Sequence, residues 1–112
     1  MKKIEAIIRP ERLGMVQRAL EELGYPGMTI TEVKGHGKQK GITQQWRGQE
    51  YKIEFLPKLK IEIVVLDDDV PKTLNAIVRG SRTGEIGDGK LFVIPVENAV
   101  RVRTGEEGDD AI

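Results

Sequence analysis

The chain has 112 residues, 38% hydrophobic and 32% charged, a composition typical of one folded domain, which we expect to span residues 1–112. Its 18 basic and 18 acidic residues give zero net charge, which argues against a general nucleic-acid binder. The lack of cysteine excludes disulfides and thiolate metal sites, and the lack of a membrane-length apolar run or signal peptide predicts a cytoplasmic protein.

Two strands and a helix are predicted in the first third of the chain. Residues 2–9 alternate between apolar and mostly polar side chains, which indicates a half-buried strand. Pro10 interrupts this strand and suits the first turn of a helix, which apolar residues at helical spacing extend over residues 11–23. After a turn, residues 28–33 are rich in Thr, Ile and Val and predict a second strand.

Residues 36–56 form a long polar stretch without a regular pattern. A loop of this length inside a small domain is usually functional or mobile. Between Lys34 and Lys60 the chain carries seven basic residues against two acidic ones. This basic segment is compatible with an anionic partner and also with a solvated surface loop.

The second half of the chain repeats the order strand, helix, strand. Alternation predicts a third strand over residues 59–65, and residues 67–69, all Asp, are candidate caps for the following helix. Val70, Leu74 and Ile77 give this helix an apolar stripe that Gly80 would end. A loop over 81–90, a fourth strand over 91–96, a short extended piece over 100–103 and an acidic tail complete the chain.

The predicted order of elements suits an α+β, ferredoxin-like sandwich with both helices on one face of a four-stranded antiparallel sheet. The uncovered face would carry Ile7, Val64 and either Phe92 or Leu91 beside Lys60 and Glu62. Such a face is too apolar to be wholly exposed to water, so we expect the chain to self-associate.

The strongest local motif is the sequence TGEIGDGK at residues 83–90. Glycines allow backbone N–H groups to converge on a phosphate, and the final Lys90 adds a positive charge. The segment lacks the full Walker pattern and precedes a strand, and Gly-Asp-Gly is also a common tight turn. The motif by itself therefore leaves a phosphate site and a simple turn as alternatives.

Other cations favour the phosphate interpretation. Arg101 and Arg103 would point the same way from an extended piece and could grip phosphate oxygens, although pairing with Glu106 or Glu107 is an equal alternative. In the long loop, residues 37–41 again combine glycines with cations, and the Gln39 side chain offers an oxygen ligand for Mg²⁺. Lys58 could pair with a ligand carboxylate.

No residues predict catalysis. His36 is the sole histidine, and no nucleophile has a neighbouring base in the sequence, so we expect a binding protein rather than an enzyme. A small phosphate-ester or acylphosphate hydrolase on the same fold is the alternative. An RNA binder is disfavoured because Phe92 is the one clear aromatic residue on a predicted strand.

Taken together, the sequence resembles the PII nitrogen-regulatory signalling proteins of the GlnB/GlnK type over almost its whole length. The matching segments are MKKIEAIIRP (1–10), GMT (27–29), TEVKG (31–35), RGQEY (47–51), FLPK (55–58), KIE (60–62), TGEIGDGK (83–90) and RVRTGE (101–106). This resemblance implies a homotrimer with ATP or ADP bound in each cleft between subunits.

The resemblance also implies ligand contacts. It assigns the nucleotide base and ribose to Ile7, Thr29, Glu62 and Val64, and the phosphates to Lys38, Gly87, Asp88, Gly89 and Lys90, with Arg101 and Arg103 from the adjacent subunit. Gly37 is a further nucleotide contact that it implies. It implies a 2-oxoglutarate site beside Mg²⁺-ATP, with Gln39 on the metal and Lys58 on the distal carboxylate. Backbone groups of Gly37, Lys38, Lys40 and Gly41 would hold the rest of the effector.

The long loop, residues 36–56, is the switching element that the resemblance implies. Its partners would be an ammonium transporter, whose pore Arg47 could enter, and other nitrogen-metabolism proteins, with membrane contact through the transporter alone. Tyr51 matches a residue that a uridylyltransferase modifies in many bacterial members. The loop departs from the family pattern at His36 and Lys38, where Phe and Arg are usual, and at Ile42, Gln44, Gln45, Trp46 and Gln49.

Overall fold

The computed structural model describes residues 1–35, 43–46, 49–52 and 55–112, with the two short middle stretches described as backbone. Its elements are β1 (Lys2–Ile8), α1 (Leu13–Glu22), β2 (Thr29–Gly35), β3 (Thr43–Trp46), β4 (Gln49–Lys52), β5 (Leu56–Val65), α2 (Val70–Ser81) and β6 (Gly89–Pro95). Short 3₁₀ helices, Pro10–Arg12 and Asp67–Asp69, lead into α1 and α2, and a third spans Gly108–Ala111. Within the described ranges, no helix is long and apolar enough to cross a membrane.

Four strands form one antiparallel sheet in the order β2-β5-β1-β6. This order, with two helices, is that of the ferredoxin-like fold, so the predicted fold class is confirmed. The register aligns the apolar positions of the central strands: Ile4 lies opposite Ile63 on β5 and Val93 on β6, and Ala6 lies opposite Ile61. Because side chains alternate along a strand, this alignment gathers one apolar face for the helices.

The hydrophobic core lies between that face and the two helices. Its fully or nearly fully buried members are Ile4, Ala6 and Ile8 of β1, Ile61, Ile63 and Val65 of β5, Val16 and Leu20 of α1, and Ile77 of α2. Burying each of the larger side chains contributes about 1.5–3 kcal/mol relative to leaving it exposed. The helices approach closely at Gly80, where an added Cβ would lie 3.1 Å from Cα of Val16.

The opposite face of the sheet is covered by charges rather than by helices. Lys3 lies 3.0 Å from Glu62, and Lys60 lies 3.7 Å from Glu62 and 3.8 Å from Glu5. Phe92 belongs to this face, opposite Glu5, whereas Leu91 packs against the core. The register thus decides between the two alternatives that the sequence left open.

Several predicted boundaries and contacts need correction. Within the stretch predicted to be irregular, β3 and β4 pair as an antiparallel hairpin, and β5 begins at Leu56 rather than 59. The hairpin lacks a clear apolar alternation, which is why the pattern missed it. The Asp67–Asp69 side chains do not cap α2. The carboxylate of Asp69 accepts a hydrogen bond from the Tyr25 hydroxyl instead.

Candidate functional site

The TGEIGDGK segment, called the 83–90 loop below, connects α2 to β6, includes the first two residues of that strand, and has a backbone that depends on glycine. Gly84, Gly87 and Gly89 all have positive φ, and that of Gly89 is +105°. A Cβ added at Gly89 would lie 1.7 Å from the carbonyl oxygen of Ile7 on β1. Close approach of the two backbones lets β6 begin at Gly89, two residues before the predicted start.

Asp88 organises this loop from within. Its carboxylate accepts hydrogen bonds from the backbone N–H groups of Thr83 and Gly84, both at 2.8 Å, and from the Thr83 hydroxyl. Burial raises the pKa of Asp88, but these bonds and the bond from Arg9 outweigh it and hold the pKa far below the usual range. The carboxylate is therefore ionised at neutral pH and bends the loop around itself.

Two cations from the sheet hold the far side of the loop. At the end of β1, Arg9 donates from Nε to Asp88 Oδ1 at 3.0 Å and from Nη2 to the Ile86 carbonyl at 2.9 Å. Lys58 of β5, which is 9% exposed, donates from Nζ to the Gly87 carbonyl at 2.7 Å. Burial lowers the pKa of Lys58, and the nearby charge of Arg9 lowers it further. Lys58, predicted to meet an effector, thus also contacts the glycine motif.

The structure brings together one further pair of predicted residues. Ile7 and Lys90 are direct partners in the β1–β6 ladder, on the charged face of the sheet. Lys90 is exposed, and Lys60 lies on the other side of Ile7. The glycine motif, Lys90 and Ile7 therefore form one continuous surface at the β6 edge.

Three other predicted residues line a separate groove. Thr29, Glu62 and Val64 border a cavity of about 620 Å³ that the Tyr25–Met28 turn and Ile112 complete. Thr29 lies on edge strand β2, three strand spacings from β6, or roughly 14 Å at ~4.8 Å per spacing. Within one chain, Thr29, Glu62 and Val64 thus lie toward the β2 edge of the sheet, whereas the phosphate-binding residues and Ile7, the fourth predicted base contact, lie toward the β6 edge.

The segment with Arg101 and Arg103 is not extended, contrary to the prediction. Val100 bridges Glu107, and the Arg101 carbonyl accepts from Gly105 N–H at 2.8 Å, so the chain turns back on itself. Arg101 Nη1 lies 3.5 Å from Glu106, the pairing that was the alternative at this position, and Arg103 is exposed in the turn. Local backbone hydrogen bonds override the alternation on which their common direction was predicted.

The remaining predicted residues lie outside the described part of the chain: Gly37, Lys38, Gln39, Lys40, Gly41 and Arg47. Tyr51 belongs to β4, which is described as backbone. The predicted Mg²⁺ ligand, Gln39, is among the residues outside. In the portions that are described, no three His, Asp or Glu side chains are grouped in a way that could hold a metal ion.

Comparison with known proteins is decisive for the family. The family model described as "Nitrogen regulatory protein P-II" matches residues 1–106. The chain belongs to the P-II family. Relatives called nitrogen regulatory protein P-II from Klebsiella oxytoca and Cereibacter sphaeroides are 58% and 56% identical to it, and P-II 1 of Escherichia coli strain K12 is 58% identical. Each alignment covers 112 residues, the whole of both chains.

Arg9 is the residue of this P-II chain that sequence reasoning missed. Arg9 directly precedes Pro10, and the sequence pattern predicts only that it is the polar end of a strand. The one sequence feature that could have indicated its role is a charged residue at the end of a strand, and such residues are common on protein surfaces. Only folding brings Arg9 next to Ile86 and Asp88, more than 70 positions away in the chain.

Proposed function

We propose that this P-II family chain is a trimeric, cytoplasmic sensor of ATP and ADP and is not an enzyme. With Mg²⁺-ATP it would bind 2-oxoglutarate and control an ammonium transporter and other nitrogen-metabolism proteins. The observation that carries the proposal is the 83–90 loop, in which Arg9 and Lys58 hold two successive carbonyl oxygens beside the exposed Lys90.

This arrangement suits a phosphate chain for a geometric reason. In a trans peptide the C=O and N–H groups point in opposite directions. Because the carbonyls of Ile86 and Gly87 face Arg9 and Lys58, the N–H groups of the next residues face away from those cations. Backbone N–H groups directed outward, together with a nearby ammonium group, are what an anion site requires.

The exposed apolar edge of β6 supports the trimer. Phe92, Val93 and Ile94 are 49%, 43% and 36% exposed, and they alternate between the two faces of an edge strand. An exposed apolar edge strand favours pairing with another chain. Assembly around this edge would bring a neighbouring subunit to the phosphate loop, where its Arg101 and Arg103 could complete the site.

Effector sensing would link this site to the long loop. Lys58 would hold the distal carboxylate of 2-oxoglutarate, and Gln39 would ligate the Mg²⁺ bound with ATP. The 36–56 loop would then differ between the ATP–effector and ADP states, and each ligand shifts it only through its differential affinity for those states. Arg47 would contact the transporter, and Tyr51 would be the site for a uridylyltransferase.

Titration calorimetry tests the proposal. ATP and ADP should each bind the wild-type chain, 2-oxoglutarate should bind when Mg²⁺-ATP is present and not by itself, and the oligomer should weigh three times 12.5 kDa by light scattering. Lys90→Gln should weaken ATP binding about 10-fold or more, since it removes a charged phosphate contact. Lys72→Gln, which removes an equal charge beside Asp69, is the matched control.

Three results would contradict the proposal. If ATP and ADP fail to bind, or if 2-oxoglutarate binds equally without nucleotide, the coupled sensor is wrong. If the chain releases phosphate from ATP or from an acylphosphate with repeated turnover, and Lys90→Gln abolishes that release, the hydrolase alternative replaces it.

A further inference from the structure

The 83–90 loop is held by Arg9, a residue to which the proposed function gives no direct contact with a ligand. Arg9 uses two nitrogens of its guanidinium group, Nε on Asp88 and Nη2 on the Ile86 carbonyl. Its side chain is 15% exposed. Because guanidinium is planar and its donors are fixed relative to one another, two simultaneous contacts fix both the direction and the distance of the loop.

The Asp88 carboxylate has little capacity left for a ligand. Four donors already contact its two oxygens: Arg9 Nε, the Thr83 hydroxyl, and the N–H groups of Thr83 and Gly84. An ionised carboxylate offers about four acceptor positions. It is also negatively charged, as phosphate is. The Asp88 side chain therefore holds parts of the loop together, and its contacts with Arg9, Thr83 and Gly84 are called the Asp88 tie below. The resemblance, in contrast, placed Asp88 among the phosphate contacts.

The tie determines which way the loop presents its backbone. Asp88 draws the 83–84 end inward, and Arg9 draws the Ile86 carbonyl toward β1. Without the guanidinium group, the Ile86–Gly87 peptide loses its partner and can rotate, since Gly87 tolerates φ values of either sign. A rotated peptide would present a carbonyl oxygen to the phosphates in place of an N–H group.

We propose that Arg9 is a positioning residue that, through Asp88 and the Ile86 carbonyl, sets the shape of the phosphate-binding loop before nucleotide arrives. This inference rests on the proposed nucleotide function. Arg9 acts on the loop and not on the ligand. Its contribution to affinity is preorganisation, which lowers the cost of ordering the loop on binding.

The main experiment compares Arg9→Gln with Arg12→Gln by titration with ATP and ADP. Arg12 is the matched control because its Nε donates to a different carbonyl, that of Gly80, at 2.9 Å, away from the loop. Arg9→Gln removes the charged contacts of Arg9 with the loop and should weaken ATP binding about 10- to 100-fold. The ATP affinity of Arg12→Gln should remain within about twofold of that of wild type. Arg9→Lys, which keeps the charge but not the planar fork, should fall between them.

Two further readouts separate positioning from general destabilisation. In nucleotide-free protein, the amide exchange rates of Thr83 and Gly84 should rise in Arg9→Gln while those of core strand β5 stay as in wild type. In a double-mutant cycle with Asp88→Asn, the two losses of ATP affinity should not add, because both variants break the same tie.

The outcomes are distinguishable. Equal ATP affinity in Arg9→Gln and wild type, additive losses in the cycle, or unchanged amide exchange at Thr83 and Gly84 would each overturn the role of Arg9 and leave the proposed function standing. Wild-type protein that binds no ATP or ADP would overturn the proposed function and this inference with it. If Arg9→Gln does not fold, the same comparisons are made with Arg9→Lys.

Discussion

Gly89 is the position where a single added carbon should be most damaging. In Gly89→Ala the new Cβ would meet the Ile7 carbonyl oxygen at 1.7 Å and its carbon at 2.8 Å. Both atoms are backbone of the central strand β1, so the overlap is relieved only by separating β6 from β1. That separation breaks the Ile8–Gly89 pairing and the surface formed by Ile7 and Lys90.

The magnitude follows from two contributions. Holding a residue other than glycine at φ +105° costs about 1–3 kcal/mol, and overpacking against a rigid neighbour adds about 1–3 kcal/mol. Together these contributions should lower the free energy of unfolding by about 2–6 kcal/mol. For a chain of this size, that corresponds to a decrease of at least about 8 °C in the thermal midpoint.

Two other glycines separate these contributions. Gly84 has φ +90° and no heavy atom within 4 Å of an added Cβ, so Gly84→Ala should show the conformational cost alone, about 1–2 kcal/mol. Gly14, within α1, also has an open position, and Gly14→Ala should stabilise the chain by about 0.5–1 kcal/mol.

The assay is thermal and urea unfolding followed by circular dichroism at one chain concentration, because the stability of an oligomer depends on concentration. The expected order of stability is Gly14→Ala, wild type, Gly84→Ala and Gly89→Ala. If Gly89→Ala loses no more stability than Gly84→Ala, then the backbone of β6 does not approach that of β1 closely at Gly89.

Three further predictions concern charged and polar contacts. Because its partners hold the folded pKa of Asp88 below the unfolded value of about 3.9, its stabilisation is present above that pH and lost as pH falls through the folded pKa. The stability deficit of Asp88→Asn should therefore shrink in urea titrations between about pH 5 and pH 2, and a constant deficit would contradict this. Arg9→Gln should raise the pKa of Lys58, measured from the ¹³Cε shift, since a neighbouring positive charge is removed; an unchanged pKa would exclude their electrostatic coupling. Tyr25→Phe removes the hydrogen bond to Asp69 and should lower the free energy of unfolding, measured in urea, by about 1 kcal/mol. An unchanged urea midpoint would show that this hydrogen bond makes no net contribution to stability.

The sequence alone determined the elements that bury a regular face. Alternation in β1 and β5 and helical spacing in α1 and α2 identify these elements because burial of one face imposes a period of two or 3.6 residues. The β3–β4 hairpin escaped prediction because its residues lack this periodicity. The sequence segments that match the family, found in the same order along the whole chain, also identified the P-II family, which the comparisons confirmed.

Only the tertiary structure decided how the 83–90 motif is held. Its glycines indicated an unusual backbone, but whether Asp88 faces a ligand or the loop itself depends on Arg9 and Thr83 being nearby. Likewise, Lys58 reaches Gly87 because Ile8 pairs with both Leu59 and Gly89, which places the two segments at the same end of the sheet. Arg101 turns toward Glu106 through local hydrogen bonds. The spacing of apolar residues along an element indicates which face each side chain occupies. The contact partner of that side chain is set instead by strand order and register, which bring together residues that are distant in the chain.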